Sequence, residues 1–512
     1  MVFLEEEVSM KRIITLFFIL LFSLLTLIPL FTQGFFVTDD GEWMIIRFSA
    51  FYQAFADGQF PVRFLHRLNF DHGYPVATFL YPGFMYAGIP FHLLKIGVVD
   101  TIKIILGLSL IGTTIFTYLW LVAVFKKNIA AVVGAFVSLY LPYHLYDVYT
   151  RGSVGEVFAF LFVPFILWMI ERKNFFFVSI GIALLLLAHN SLALLFLPVL
   201  FFYALIRKPF SFKNIVLNFV FGLLLAAFFI IPAIFELHYT RFAQTVISDP
   251  TKYFASDALI GFSTLLIFVA TGSLFIFQKQ FPKDYVGVTR LFLVVTFLAV
   301  FFSFSWSKFF WQIIPSSFIQ FPFRLLSLLV ITIPFLSALL VIHIEKRFLR
   351  NVVIGIIVLM ALLSSWQYMQ PKEYINKGEG YYVTNEATTT VQNEYLPVWV
   401  DEKPVQRAES KVKGASDITY NNKEIRFSVD QEKGFVLINT IYWPGWRVWV
   451  NDKEVAIDYD NPKGLMQVSV PNGTSQIRAE FSETPLRLVA DGISLVSFAG
   501  LLLFSLRKKK VT

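Results

Sequence analysis

An apolar run from Ile13 to Phe31 follows the basic pair Lys11-Arg12 near the start of the chain. Further apolar stretches of about 20 residues, the length that crosses a bilayer as a helix, lie at roughly 102–125, 129–148, 154–171, 174–189, 191–206, 214–235, 258–277, 286–304, 322–343, 350–369 and 487–506. The pattern predicts about twelve membrane spans. The first run resembles a signal peptide in order, but it is too long for one and no small-x-small cleavage site follows, so it reads as a retained span. Tyr81 to Leu94 is also apolar. It is short and broken by Pro82, Gly83, Gly88 and Pro90, which predicts a re-entrant or interfacial segment.

Two segments between spans are large. In residues 35–101, the stretch Glu42 to Phe60 sets Trp43, Ile46, Phe51 and Phe55 against Arg47 and Asp57, the pattern of a helix lying along the membrane interface. Residues 371–485 are polar and alternate with period two in Glu424–Val429, Phe435–Ile441, Trp446–Val450 and Met466–Val470. Turns fall at Pro444-Gly445, Asn451-Asp452 and Asn472-Gly473, so a small antiparallel sandwich is expected before the last span. The expected organisation is a transmembrane domain over 1–370, a β-rich domain over 371–485, and a final span with a basic tail over 486–512.

Composition agrees. Of 512 residues 56% are hydrophobic and 15% charged, against about 25% charged in soluble domains. There are no cysteines, which excludes disulfides, thiolate metal sites and a cysteine nucleophile. The net charge of +8 does not point to nucleic acid, because the basic residues sit in short loops. With Lys11 and Arg12 in the cytoplasm, the loops assigned to that side carry Lys126-Lys127, Arg172-Lys173, Arg207-Lys208 with Lys213, Lys279 with Lys283, Lys346-Arg347 with Arg350, and Arg507 to Lys510. Each is basic, as the positive-inside rule asks. The expectation is a multi-pass cytoplasmic (inner) membrane protein with both termini inside and the two large segments outside.

This topology sends most of the remaining polar residues to the outer face. Asp39, Asp40 and Glu42 stand beside the first span with Arg63, His66, Arg67 and His72 after them. His144, Asp147, Arg151 and Glu156 occupy the next outer turn, His189 and Asn190 end a later span, Glu236, His238 and Arg241 end another, and Arg324 opens the tenth. Such groups are costly against lipid, so a shared cavity is expected. Each also has a plainer use. Arg63, Arg67 and Arg241 suit lipid phosphates or water, Arg151 and Glu156 suit an ion pair, His189-Asn190 suits a hairpin tip, and Asp39-Asp40 suits a helix cap. Two carboxylates plus Glu42 exceed what a cap needs. They fit either a general base or a divalent-metal site for Mg or Mn, and the arginines fit a phosphate or pyrophosphate. A phosphate carried on a lipid tail matches a cavity opening into the membrane. No Walker or other nucleotide-binding glycine loop appears.

The ordered set of one span, an outer loop opening on paired acids, interfacial helices and a multi-span core resembles the GT-C class of membrane glycosyltransferases. More narrowly, Thr38-Asp39-Asp40-Gly41, Tyr149-Thr150-Arg151-Gly152-Ser153-Val154-Gly155-Glu156, Ala188-His189-Asn190, Gln320-Phe321-Pro322-Phe323-Arg324 and Tyr442-Trp443-Pro444-Gly445-Trp446 resemble strings of bacterial membrane proteins labelled "6-pyruvoyl-tetrahydropterin synthase-related" and their YfhO-like relatives. The pterin label is not an activity, since no zinc-ligand cluster like that of the soluble synthase is evident. The resemblance implies an inverting transfer from a polyprenyl-phosphate-linked sugar to an extracytoplasmic acceptor, a cell-envelope glycan or a glycoprotein. It implies a base at Asp39 or Asp40, and a metal at either or both with Glu42. Arg151, Glu156, His189, Asn190, Glu236, Arg324, Arg63 and His72 are the candidate substrate- and phosphate-binding residues. In the β-rich domain Trp443, Trp446 and Trp449 are candidates for stacking on sugar, with a place in the sandwich core the expected use of at least one of them. A transporter or flippase for lipid-linked glycans, which needs polar residues through the membrane depth, and a non-catalytic envelope scaffold are the alternatives.

Overall fold

The computed structural model describes residues 10–244, 249–277, 283–313, 319–390 and 392–509; Lys279 and Lys510 of the charge alternation lie outside them. Every apolar stretch falls on helix. Among the described residues eight helices are long and apolar enough to cross a membrane, or ten if the bent pairs Asn128–Leu139 with Pro142–Arg151 and Phe212–Leu225 with Ala227–Tyr239 each form one span. Phe175–Ala188 and Phe262–Phe277 are shorter apolar helices. The expected twelve therefore meet eight to ten full-length candidates. The first bend, 41°, has a local cause: Leu141 precedes Pro142 and adopts extended backbone, as residues before proline prefer.

The Tyr81–Leu94 stretch folds as a helix over Gly83–Leu93 of 11 residues. At about 1.5 Å per residue it reaches roughly half the ~30 Å hydrocarbon thickness. It packs instead on Val98–Phe125 and Gly41–Ala56.

Charged groups gather at opposite ends of the helices. At one end Glu171 grips Arg207 through both carboxylate oxygens (2.7 Å each), and Arg207 also donates to the Asp284 carbonyl at 3.4 Å. At the other, Glu156 meets Arg151, His189 and Arg324. Loops that the charge pattern sends to one side thus meet one another in space.

The β-rich region forms two antiparallel sheets. One has the order β3 (Ser416–Tyr420), β4 (Glu424–Gln431), β9 (Gly473–Phe481), β6 (Trp446–Val450) and β7 (Lys453–Val455); the other pairs β5 (Gly434–Ile441) with β8 (Leu465–Val470). Alternate residues point inward, Ile425, Phe427 and Val429 from β4 and Ile477, Ala479 and Phe481 from β9, as period-two patterning requires. Asn451 and Asp452 both have positive φ and close the tight β6–β7 hairpin, a conformation these residue types tolerate. Trp443 and Trp446 are buried in this core. The core use expected for at least one of the three tryptophans thus takes two, and these two are not sugar platforms: two short sheets exclude water only with large inward side chains. Trp449 lies between Arg447 and Arg478, whose guanidinium carbons are 5.2 and 4.2 Å from its ring centre.

Two long-range links set the geometry of the first loop. β1 (Phe35–Phe36) pairs antiparallel with β2 (Tyr374–Ile375), and the Val37 N–H donates to Glu373 at 3.0 Å. The helix Gly41–Ala56 is covered by Gly378–Thr384 and the segment after it. The expected interfacial helix is therefore largely buried. Arg47, placed on its polar face, is buried too: its Nε donates to Thr389 Oγ1 at 3.1 Å and its Nη2 to the Thr389 carbonyl.

Candidate active site

Asp39 and Asp40 close the turn between β1 and the helix Gly41–Ala56. Asp40 occupies the capping position, yet its side chain caps nothing. Thr38 Oγ1 accepts from the Gly41 N–H at 2.9 Å instead. The capping role is filled by a hydroxyl, which leaves both carboxylates for other work. Among the described residues neither has a hydrogen-bond or ion-pair partner in its side chain.

Their backbone is held firmly. The Asp39 N–H donates to Thr150 O at 3.1 Å and the Asp40 N–H to Arg151 O at 2.8 Å. The acceptors belong to a π-helical turn, Asp147–Arg151, closed by Gly152 at φ +65°. Such turns interrupt a helix and often mark functional positions. Gly152 is needed for space as well as for φ: a Cβ there would meet Thr38 Oγ1 and lie 2.7 Å from the Gly41 nitrogen. Gly152→Ala is expected to push the aspartate turn away from Arg151. A displacement near 1 Å can cost on the order of 100-fold in rate. Measured activity of the folded variant within twofold of wild type would show that the close approach is not required.

Beyond this turn lies a buried ionic network. Arg151 Nη1 is 2.6 Å from Asp147 Oδ1 and 2.9 Å from Glu156 Oε1. Arg324 Nε donates to Glu156 Oε1 at 2.8 Å, and its Nη1 to the Ile319 carbonyl (2.9 Å) and Gln320 Oε1 (2.8 Å). Tyr143 OH donates to Glu156 Oε2 at 3.3 Å, and His189 Nε2 stands 3.8 Å from Oε1. Glu156 thus fixes both guanidinium groups, while the Nη2 of each keeps no partner among the described residues. Phe321 and Phe323 stack on each other at 5.2 Å and lie against Arg151. Weakly hydrated guanidinium tolerates such aromatic cover better than ammonium would.

The electrostatics join turn and network. Arg151 and Lys372 act on Asp39, and Asp40 acts on Arg151. Burial, then the neighbouring Asp40 charge, raise the Asp39 pKa above the ordinary carboxylate value, although part of the side chain stays open to solvent. On the far side, Asp40 and Arg47 both act on Tyr81 and Glu394. Burial raises the Glu394 carboxyl. Tyr81 stacks on His189 at 4.2 Å.

No protein-family model and no curated protein matches the chain. Among solved structures it is similar to the arabinofuranosyltransferase AftD from Mycobacteria, at 15% identity over 71% of this chain and 28% of that one, TM-score 0.48. It is also similar to the archaeal oligosaccharyltransferase AglB from Archaeoglobus fulgidus in complex with an inhibitory peptide and a dolichol-phosphate, at 12% identity over 73% and 56%, TM-score 0.39. The apo form of the Archaeoglobus fulgidus oligosaccharyltransferase gives 14% identity over 76% and 61%, TM-score 0.39. The chain spans between 28% and 61% of the length of these structures.

The candidate residues divide in space. Asp39, Asp40, Arg151, Glu156, His189 and Arg324 come together. His189 has a structural task as well, its Nδ1 accepting from the Leu192 N–H at 3.2 Å, and the Asn190 amide oxygen accepts from the next N–H at 2.8 Å. Asn190 therefore works as a hairpin tip. Arg63 is fully engaged elsewhere, with Glu483 at 3.0 Å, Asp491 at 3.1 Å and the Phe228 carbonyl at 2.8 Å. Glu236 meets Arg487 through two 2.8 Å bonds, both side chains buried. Neither is available to a substrate, because a buried charge must keep its counter-charge. His72 lines a different pocket, with Asp71, Arg407 and Lys411. Glu42 turns to Lys377 Nζ (3.0 Å) and Tyr382 OH (3.0 Å). Among the described residues no three of His, Cys, Asp or Glu converge as metal ligands, so the trio Asp39, Asp40 and Glu42 does not form the expected metal site.

Sequence reasoning passed over Arg47, Glu394, Tyr81 and Tyr143. Arg47 and Asp147 were visible as charges in apolar surroundings. Glu394 and the tyrosines carried no local signal.

Proposed function

We propose that this protein is a membrane glycosyltransferase that moves a sugar from a polyprenyl-phosphate-linked donor to a hydroxyl of an extracytoplasmic glycan or glycoprotein. The observation that carries the reading is the pair of carboxylates without a side-chain partner among the described residues, Asp39 and Asp40, held by backbone bonds to Thr150 and Arg151, next to a network in which Glu156 keeps Arg151 and Arg324 in place. The resemblance of the ordered set of one span, an outer loop opening on paired acids, interfacial helices and a multi-span core to the GT-C class supports the same reading. The orientation adopted puts both termini and the Glu171–Arg207 end in the cytoplasm, with the β-rich domain over 371–485 outside and twelve segments crossing or entering the bilayer.

In the proposed reaction the acceptor hydroxyl oxygen attacks the anomeric carbon from the face opposite the phosphate. The new C–O bond forms as the bond to the phosphate oxygen breaks, which inverts that carbon. The hydroxyl proton passes to Asp39 or Asp40, and the electron pair leaves with the lipid phosphate. Arg151 and Arg324 face the charge that grows on the departing phosphate, each through its free Nη2.

The test is release of polyprenyl phosphate by the purified protein from a panel of polyprenyl-phosphate sugars, with the anomeric configuration of the product read by NMR. Transfer with retained configuration, or none across the panel, overturns the reading. Movement of the intact lipid-linked sugar between leaflets without transfer would establish the transporter instead. A base must be ionised to act, and the Asp39 pKa is raised. If Asp39 takes the proton, the acid limb of the rate profile falls at a pH above the ~3.9 of a free aspartate. Asp39→Asn would then remove that limb along with the activity.

A further inference from the structure

A cavity of about 760 Å³ opens between the end of the first span and the start of the helix Val98–Phe125, beside the segment 376–382. Neither Asp39 nor Asp40 lines it. Its wall changes character along one helix. Asp100, Lys103, Ile104, Gly107, Leu108 and Ile111 follow one another at spacings of one to four and share one helix face. That face runs from a carboxylate through an ammonium to apolar side chains. Leu27, Leu30 and Phe31 line the cavity from the first span and the turn after it. Gly107 makes room between the two walls, since a Cβ there would already stand 3.3 Å from Leu30.

Lys103 is a buried cation with capacity left over. Its Nζ donates to the Thr32 carbonyl at 2.5 Å, and Asp100 Oδ1 stands at 3.6 Å on a carboxylate that is 68% exposed. An ammonium carries three donors, and a solvated carboxylate beyond hydrogen-bond length compensates it weakly. Lys377, the other cation of the wall, is already held by Glu42 at 3.0 Å. Glu379 uses Oε1 to accept from the Val98 N–H at 2.7 Å, and its Oε2 keeps no partner among the described residues. The unspent groups are one buried cation and, at the helix start, two exposed carboxylates, Asp100 and Glu379.

We propose that this groove binds a phospholipid with a primary-ammonium headgroup, a phosphatidylethanolamine. The order of its parts matches the helix face: acyl chain along Ile104, Gly107, Leu108 and Ile111, phosphodiester at Lys103, ammonium at Asp100 and Glu379. Lys103 and Asp100 lie about 4.5 Å apart along the helix axis, close to the reach of a two-carbon link. From Ile104 to Ile111 the apolar stretch covers about 10 Å, which fits within one leaflet of ~15 Å. A headgroup without the ammonium would set its phosphate against both carboxylates, and a quaternary ammonium would offer them no N–H. The proposal does not rest on the transferase reading.

Titration of the full-length protein in detergent with dioleoyl phosphatidylethanolamine, phosphatidylglycerol and phosphatidylcholine, read by native mass spectrometry, tests it. One retained phosphatidylethanolamine is expected, at least about tenfold tighter than the other two, the factor that one charged hydrogen bond supplies. Lys103→Met, which keeps the stem and loses the charge, should weaken it at least about tenfold. Gly107→Leu should do the same by filling the apolar part of the groove while altering no charge. Asp100→Asn should bring phosphatidylglycerol level with phosphatidylethanolamine. Asp40→Asn should bind as wild type does, whether or not it transfers sugar. Equal retention of the three lipids by the wild type would mark an adventitious lipid only and overturn the proposal. Full affinity in Lys103→Met or in folded Gly107→Leu would overturn it as well.

Discussion

Asp40→Asn is expected to lower sugar transfer by about 100- to 10,000-fold, the range a positioned general base contributes, with no loss of folding. The second half of that expectation comes from the hydrogen bonds. The turn is held through the Asp39 and Asp40 backbone N–H groups, and the helix start is capped by Thr38 Oγ1. The Asp40 side chain does neither job, so an amide of the same shape leaves the turn intact. Melting of the detergent-solubilised variant should match wild type while release of polyprenyl phosphate falls. The same comparison with Asp39→Asn separates the two carboxylates, and the variant with the larger loss at equal substrate saturation marks the base. Full activity in both variants would remove the pair from the chemistry and leave the arginine network as a structural element.

Glu156→Ala should have the largest effect on stability. Its carboxylate is fully buried and meets Arg151, Arg324, Tyr143 and His189. Removing it leaves two guanidinium groups enclosed, with only Asp147 still paired to one of them. Breaking a buried pair by deleting one partner typically costs about 3–5 kcal/mol. The variant should melt lower and lose transfer in the fraction that remains folded, because both arginines shift. Glu236→Ala is the control. It strands Arg487 in the same way and should destabilise by a similar amount, yet activity per folded molecule should be kept, since the pair lies apart from the aspartates. If Glu156→Ala melts like wild type, the network does not hold the site together. If Glu236→Ala abolishes transfer in its folded fraction, the division between catalytic and structural charges is wrong.

These two glutamates also show how far the sequence could be read. Both stand near span ends, both are acidic residues in apolar surroundings, and nothing in their local pattern distinguishes them. One faces an arginine five residues away and another 168 residues away; the other faces an arginine 251 residues away. Arg63, which suited lipid phosphates or water, is instead held by Glu483, just before the last helix, and by Asp491 within it. A core place for at least one of Trp443, Trp446 and Trp449 was legible, but not that it would be Trp443 and Trp446. Which way a strand faces depends on the sheet packed against it.

The sequence by itself determined the elements. Runs of about 20 apolar residues fix the membrane helices, because an unpaired backbone cannot be left in lipid, and period-two alternation fixed the strands β4, β5, β6 and β8. It also indicated that carboxylates, imidazoles and arginines would collect at the ends of the helices, since each is expensive against lipid. Apart from the Arg151–Glu156 pair, five residues apart and readable from the spacing, only the packing decides which of those groups are spent on one another. Pairing between charges depends on distances of a few ångströms between residues far apart in the chain, and no local period encodes that. It is this packing that neutralises Arg63 and Glu236, sends His72 to another pocket, turns Glu42 to Lys377, and leaves Asp39 and Asp40 beside Arg151 with no side-chain partner among the described residues.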